Sequence, residues 1–515
     1  MAPPPGPGEF PLRNLAGEYY LVGHWGGQGG RVTRVVQLLH LPRLIGSRTE
    51  SSSGFRGELD LLQTTTATDA LASFVSSLGY DDIPVIARDR VKDILLDTFA
   101  SALAGNVGDE VAQIDALARM VGGPADEATV IGGKPSSYVG AVLLNGYLIT
   151  AATVCDVHRP TLFHVTPEVV PPAMAAAERA GASGRQFITA VAAGLEVATR
   201  IGVGINYPAF RARGWHSPGV IGPFGGATSA GKILGLDTLR LRNALGLAGS
   251  QSAGTFAHWG TPTIKFHQSR GALSGLIAGF LAETGFEAAP DILAAADGGI
   301  FGSYSDGGDE AAVVDRLGER WELMNISLRR WPVASSIQAM VTALFSILET
   351  QPLTPADIDT VGIRLSDTVY RMHGELGWDT RFRALLSTRY VTSVIVHDRR
   401  CWLEQFTPAR IADPDVDAFA RAKVLVEVDP DLPTNAAVVR LTTTAGTTYE
   451  DRRDVPKGDA QDPLSSREII EKLHDASLGI LAPETVARII DAVGRLETMD
   501  DVRPLLRDLR GPGSR

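Results

Sequence analysis

Cysteine is nearly missing from this chain: Cys155 and Cys401 are the only two in 515 residues. Two thiols cannot build a disulfide framework and fit a reducing compartment. They also fall short of the four thiolates that usually hold an iron–sulfur cluster. Long basic runs are lacking as well. Lys and Arg number 48 against 59 Asp and Glu, a formal net charge of −11, which argues against nucleic acid or an anionic membrane as the main partner. No apolar run is read as reaching the roughly 20 residues of a membrane helix. The expectation is a soluble, cytoplasmic chain. No secretory n-region, apolar h-region and cleavage site follow one another near Met1. The Arg-rich stretch "RVTRVVQLLHLPRLIGSR" reads as an amphipathic helix and leaves organellar targeting open as a second address. What the chain does have is apolar material, 44% of its residues, enough for substantial cores.

Residues 1–62 differ from the rest. "MAPPPGPG", "GGQGGR" and "SRTESSSGFRGE" predict a poorly ordered extension outside the fold. From Thr68 the period becomes helical: Val91, Ile94, Leu95, Phe99 and Leu103 share one face and Gly105 stops the run. "SGRQFITAVAAGLEVATRIG" and "GALSGLIAGFLAETG" are Ala-rich and apolar on more than one face, as in helices buried inside a bundle. Near residue 355 the period changes to two, with Val361, Ile363 and Leu365 alternating. "KVLVEVD" and "AAVVRLTTTAGTTYEDRR" read as further strands, the latter a pair turning near Ala445-Gly446. Ser465, with Glu468 three residues on, is a capping box that restarts helix. The expected organisation is a helical domain over 63–326, a smaller α+β domain over 327–462 and a helical return over 463–510.

Three stretches gather chemistry. "CDVHRPTLFH" (155–164) packs an acid, two imidazoles and a guanidinium behind an apolar segment. His158 and His164 are six positions apart, about 600° on a helix, and Pro160 denies a continuous helix. A loop there could turn both imidazoles onto one ligand. "RARGWHSPGVIGPFGGATSAGK" sets His216 before a turn and a Gly-rich helix start, where free amides favour an anion. "FAHWGTPTIKFHQSRG" and "SLRRWPVASS" add His258, Lys265, His267, Arg270, Arg329 and Arg330. Each could be a solvated face, but five of the ten histidines fall between 158 and 267. A cationic pocket inside an acidic protein points to a small polyanion such as a di- or tricarboxylate.

Other chemistries fit less well. "GATSAGK" (226–232) starts like a phosphate-binding loop, but Ile233 replaces the magnesium-holding Ser/Thr and no strand precedes it. Asp156, His158 and His164 could ligate zinc or iron, yet their spacing matches no standard motif. No metal and no cofactor are expected. Neither a nucleophile elbow nor a dinucleotide fingerprint has its strand–turn–helix context.

"HRPTLFH", "GWHSPGVIGPFGGATSAGKILGLD", "NALGLAGSQSAGTFAHWG", "KFHQSRGALSGLIAGFLAETGF" and "PKGDAQDPLS" resemble, in this order, the MmgE/PrpD family of 2-methylcitrate dehydratase, cis-aconitate decarboxylase and iminodisuccinate epimerase. The resemblance covers about residues 66–505. It implies a mainly α fold: a large all-helical domain with an inserted smaller α+β lid domain, in a homodimer. It implies metal-independent lyase chemistry of the dehydratase type on a small di- or tricarboxylic acid, begun by proton abstraction alpha to a carboxylate. The alternatives are an epimerase, isomerase or decarboxylase of the same fold, or a non-catalytic helical binding protein.

Carried over by position, the family's histidines fall on His158, His164, His216 and His267, and its basic residue before aromatic-Pro on Arg329 or Arg330. His164, Lys265 and His158 are the candidate catalytic residues, with His164 and Lys265 as the acid and base. Asp156, His216, His267, Arg329 and Arg330 are the candidate substrate-binding residues, with Asp156 orienting an imidazole. The chain departs from the family pattern at Thr153 and Cys155, where acids are usual, and at Ile264, where a lysine is usual. Lys265 is shifted by one, about 100° on a helix, and is expected to need a loop or bulge to take the same place.

Overall fold

The computed structural model describes residues 65–511 and, ahead of them, three strands. β1 (Arg13–Leu15), β2 (Glu18–Trp25) and β3 (Val32–Gln37) form an antiparallel sheet in that order. The poorly ordered extension expected over 1–62 otherwise lies outside the described residues. The amphipathic helix expected from residue 31 is corrected at β3, where Val32, Thr33, Val35 and Val36 supply the β-branched side chains that favour an extended chain. Residues 65–515 form a separate compact unit.

That unit is mainly helical. Its first and larger core is built by α1 (Val85–Gly105), α2 (Tyr138–Ala151), α3 (Thr166–Ala180), α4 (Gly184–Gly204), α5 (Ser217–Ile233) and α6 (Thr263–Glu283). Small residues let these helices approach backbone to backbone. A Cβ on Gly275 of α6 would come within 2.7 Å of the Gly226 Cα of α5. α4 opens on a capping box from Ser183 and Gln186. It is long and apolar enough to cross a membrane by composition, against the expectation of no such run, but it is almost wholly buried among the other helices.

A second, separate core lies between Val333 and Leu441. Its sheet has the order β7-β6-β8-β9: β6 (Ile358–Leu365) pairs parallel with β7 (Val424–Val428) and antiparallel with β8 (Ala437–Thr443), which pairs with β9 (Thr448–Arg453). The alternating Val361, Ile363 and Leu365 are all fully buried, as the period of two requires. The β8–β9 turn passes through Gly446 at φ 84°, a left-handed conformation that suits glycine. α7 (Gln338–Thr350) and α8 (Thr388–Asp398) cover this sheet. The chain then returns. α9 (Ser466–Ser477), capped by Ser465 and Glu468, and α10 (Pro483–Gly494) bury Ile469, Leu473, Val486 and Ile489 in the first core.

Between the helices, β4 (Val157–His158) pairs antiparallel with β5 (Ile326–Ser327). This short ladder lays the segment after α2 beside the chain that leaves the first core for the second.

Candidate active site

The segment 153–164 leaves α2 through Thr153, at φ 58°, and turns again at Leu162, at φ 44°. Left-handed backbone is costly for non-glycine residues and collects where function demands it. Between the two turns His158 and Phe163 exchange backbone hydrogen bonds of 2.7 and 3.1 Å. Neighbours in such extended chain alternate faces. His158 and Phe163 therefore point into the core, fully buried, and His164 points the other way.

His164 opens onto a cavity of about 150 Å³ between the two cores. The first core contributes Thr150, Thr153, His164, His216, Lys265, Gln268 and Arg329; the second contributes Ser336, Met372, His373, Phe382 and Asn435. Apolar wall comes from Leu162, Phe256, Trp259, Ile264, Val369 and Leu386. Among the described residues no Asp or Glu lines this cavity.

The imidazole of His164 donates from Nδ1 to the Asp156 carbonyl at 2.6 Å. Nε2 is left as the unprotonated nitrogen, without a protein partner. Burial pushes its pKa down to about 3, helped by the nearby Arg329 and Arg159. His216 and His267 share a hydrogen bond between their Nδ1 atoms at 3.1 Å. Burial, and then each ring's charged or ring neighbours, holds His216 well below its ordinary value and His267 at about 4. Burial thus disfavours the charged form of all three imidazoles.

The fixed positive charge is Lys265 and Arg329, 6% and 2% exposed. Lys265 sits in the first turn of α6, so it reaches the cavity from a regular helix and needs neither loop nor bulge. Its Nζ donates to the Ala151 carbonyl at 2.5 Å and lies 4.4 Å from the centre of the Phe382 ring. Burial lowers its pKa to about 8, against the opposing pull of Glu110. Arg329 donates from Nε to the Cys155 carbonyl at 2.5 Å, from Nη2 to Cys155 Sγ at 3.1 Å and from Nη1 to the Val333 carbonyl at 3.3 Å. A guanidinium has five N–H groups, so two remain for a ligand. Neither cation has a carboxylate at ion-pair distance among the described residues.

Two further groups face the cavity with spare capacity. The Thr153 hydroxyl and the Gln268 Oε1 are buried without a hydrogen-bond partner. Buried polar atoms are rarely left so, and a bound acid or water would complete both.

Not every residue singled out from the sequence reaches this place. His158 is corrected: its Nδ1 contacts Thr161 Oγ1 at 2.8 Å and its Nε2 contacts Glu322 Oε1 at 3.0 Å, inside the core. Burial alone would raise the Glu322 carboxyl, but hydrogen bonds from His158 and Asn325 hold it at about 2. Arg330 is corrected too. It points to the opposite side of its chain, donating to the Glu468 carbonyl at 3.0 Å and to Glu471 at 3.4 Å. Arg329 is the one of the pair that faces the cavity. The Asp156 carboxylate does not touch an imidazole. It accepts from the Val165 amide at 2.7 Å, the Thr166 amide at 3.2 Å and the Thr166 hydroxyl at 2.5 Å, capping α3. Its backbone carbonyl orients His164 instead. His267 stands behind His216, and Asp156, His158 and His164 do not converge as a metal site would need.

Sequence reasoning passed over His373, at the end of a short helix in the second core. Its Nδ1 donates to the Leu386 carbonyl at 2.8 Å and its Nε2 accepts from Ser336 Oγ at 2.7 Å. Nothing in its flanks marks it, because only the meeting of the two cores brings it to the cavity. Thr153 was visible as a departure in type; its left-handed backbone was not.

Underneath, Lys472 of α9 donates to Asp97 Oδ1 at 2.6 Å, the Val154 carbonyl at 2.8 Å and the Arg329 carbonyl at 3.0 Å. Burial pushes both Lys472 and Asp97 toward their neutral forms. Three donated bonds, however, require the ammonium. This buried pair ties α1 and α9 to the two backbone segments that carry Thr153 and Arg329.

Comparison with known proteins agrees along most of the chain. The model of the MmgE/PrpD N-terminal domain matches residues 69–311 and that of the MmgE/PrpD C-terminal domain residues 331–498. A protein named cis-aconitate decarboxylase from Aspergillus terreus is 28% identical over 477 residues, 86% of this chain and 96% of its own length. Proteins of the same name from Homo sapiens and Mus musculus are 26% and 24% identical over 466 residues each, covering 86% and 87% of this chain and 95% and 94% of theirs.

Proposed function

Since the chain belongs to the MmgE/PrpD family and is a lyase of that type, we propose that it decarboxylates a small unsaturated polycarboxylate in the cavity around His164. The carbon–carbon bond to one carboxylate breaks and carbon dioxide leaves. The freed electron pair forms a new double bond, and the pair of the old double bond moves to the carbon alpha to a retained carboxylate. That carbon then takes a proton. In between, the retained carboxylate becomes an enediolate of charge −2.

The observation that carries this reading is the pair of buried cations, Lys265 and Arg329, which among the described residues have no carboxylate at ion-pair distance and none in the cavity lining. Fixed donors aimed at developing charge are worth most where water is excluded. The apolar wall suits the departing group, because a carboxylate stripped of water gains by shedding its charge into neutral carbon dioxide. Lys265, with a pKa of about 8, is an ammonium at neutral pH and supplies the proton. That proton passes to the carbon alpha to the retained carboxylate, directly or relayed through His164, since a bound anion raises the affinity of its Nε2 for protons.

A second reading, dehydration, is favoured by the same two residues. A neutral imidazole can take the proton alpha to a carboxylate while the ammonium protonates a leaving hydroxyl. Proton NMR in deuterated buffer separates the outcomes over a panel of unsaturated and hydroxylated di- and tricarboxylates. Decarboxylation is expected to give carbon dioxide and one deuterium in the product. Water loss would point to the dehydratase, and deuterium exchange with no net reaction to an epimerase. No change in any acid would sink the lyase assignment of this cavity. His164→Gln should abolish most turnover with an unchanged circular dichroism spectrum. The second core, as a lid over the cavity, and a homodimer belong to the same proposal, and sedimentation velocity tests the latter.

A further inference from the structure

The charge and lining of the cavity restrict the acid further. Resting on the reading of this cavity as the reaction site, we propose that the substrate is a dicarboxylate bearing an apolar substituent, not a tricarboxylate.

Charge is the first ground. Lys265 and Arg329 supply two positive charges with no carboxylate against either among the described residues, and burial disfavours the charged forms of His164, His216 and His373. A dicarboxylate brings −2. Loss of carbon dioxide conserves that total, because the enediolate left behind also carries −2. The two cations match the substrate and the intermediate alike. A third carboxylate would add a charge that only protonation of a buried imidazole could meet, against the burial that disfavours it, and an unpaired buried charge is heavily penalised.

The wall is the second ground. Phe382, Met372, Val369 and Leu386 of the second core, Trp259 packed against that core, and Ile264 of α6 make up this wall. Apart from the Trp259 indole N–H, these side chains hold no group that could bond a carboxylate. The Thr153 hydroxyl, buried without a partner and able to donate to a carboxylate, lies on the first-core side with the two cations. The cations thus hold carboxylates on the first-core side, and the second core sets the apolar Val369, Met372, Phe382 and Leu386 against them, among neutral polar groups such as Ser336 and Asn435. A ligand that fills both sides has an alkyl or similar group on a dicarboxylate frame.

Calorimetry of the full-length wild-type protein with saturated probes tests this without turnover. The probes are succinate, methylsuccinate, propylsuccinate and tricarballylate. Affinity should rise about threefold per added methylene, and propylsuccinate should bind at least about tenfold more tightly than tricarballylate. Equal affinities along the alkyl series, or tighter binding of tricarballylate, overturn the inference. Met372→Lys places a third cation on the half-buried wall and should move the preference toward tricarballylate by at least about tenfold; an unmoved preference in the folded variant counts against it. The two proposals fail separately. Preferred turnover of a tricarboxylate overturns the substrate class and leaves the reaction standing. The expected binding order with no turnover of any unsaturated acid overturns the reaction.

Discussion

Lys265 shows what one position in a helix decides. Its neighbour Ile264 stands where a lysine is usual in the resembled pattern, yet both residues line the cavity, because the first turn of α6 runs along the wall. The environment of Lys265 is apolar on the Phe382 side, and burial brings its pKa to about 8. The active form is the ammonium, so kcat/KM should hold steady from about pH 6 to 7.5. It should fall above pH 8 as the proton is lost. Lys265→Arg keeps the charge but will not release a proton in this range. It should carry the alkaline limb beyond pH 10 while lowering kcat about 100-fold or more. A limb that stays near pH 8 in this variant would assign the ionisation to another group. At this scale the sequence was only half legible. It marked the right short segments, but adjacent letters such as Arg329 and Arg330 point to opposite sides. His158 and His164 are divided by the face alternation of a tight loop that composition does not reveal.

The helices and strands were more legible, because periodicity is a local property. The buried face of α1, the alternation in β6 and the cap of α9 all follow from spacing and side-chain type. β3 departs from the helix expected there because the arginines of the longer stretch from Arg31 suggest a helical face, while the β-branched residues of β3 itself favour extension. α4 was undervalued as an apolar run because Arg200 and Glu196 interrupt it; in the fold these two pair with each other at 2.5 Å. What spacing could not show is how elements are bound together. α9 lies far from α1 in sequence, yet Lys472 fixes it to Asp97 and to the carbonyls of Val154 and Arg329. Removing one member of a buried pair leaves the other charge uncompensated. Lys472→Met is therefore expected to lose roughly 3–5 kcal/mol of stability by urea unfolding. Asp97→Leu combined with Lys472→Met should recover much of that loss, since a buried pair is often replaceable by packed apolar groups. A double variant as unstable as the single one would show that the carbonyl contacts, and not the charge pair, set the cost.

For the molecule as a whole, the order of segments was readable: helical, mixed, then helical again. The meeting of two hydrophobic cores at one cavity was not, since it rests on contacts such as β4 with β5 that join residues 157–158 to 326–327. The same scale decides what the first 64 residues contribute. The unit over 65–515 is compact by itself, and the family match begins only at residue 69. A helix ahead of α1, Ala67–Ser77, carries its own cap, with Thr66 Oγ1 accepting the Asp69 amide at 3.1 Å, and is anchored by the Ala67 amide donating to Glu310 at 3.1 Å. Among the described residues, those lining the cavity come from this unit. A chain beginning at Thr65 should therefore melt within about 2 °C of the full chain and keep kcat/KM within about twofold. Scanning calorimetry and steady-state kinetics on the two proteins side by side check both. A clear loss of melting temperature would mean that residues 1–64 pack against the unit. A loss of turnover at unchanged melting temperature would give them a part in the cavity or in subunit assembly, which sedimentation of the same two samples would tell apart.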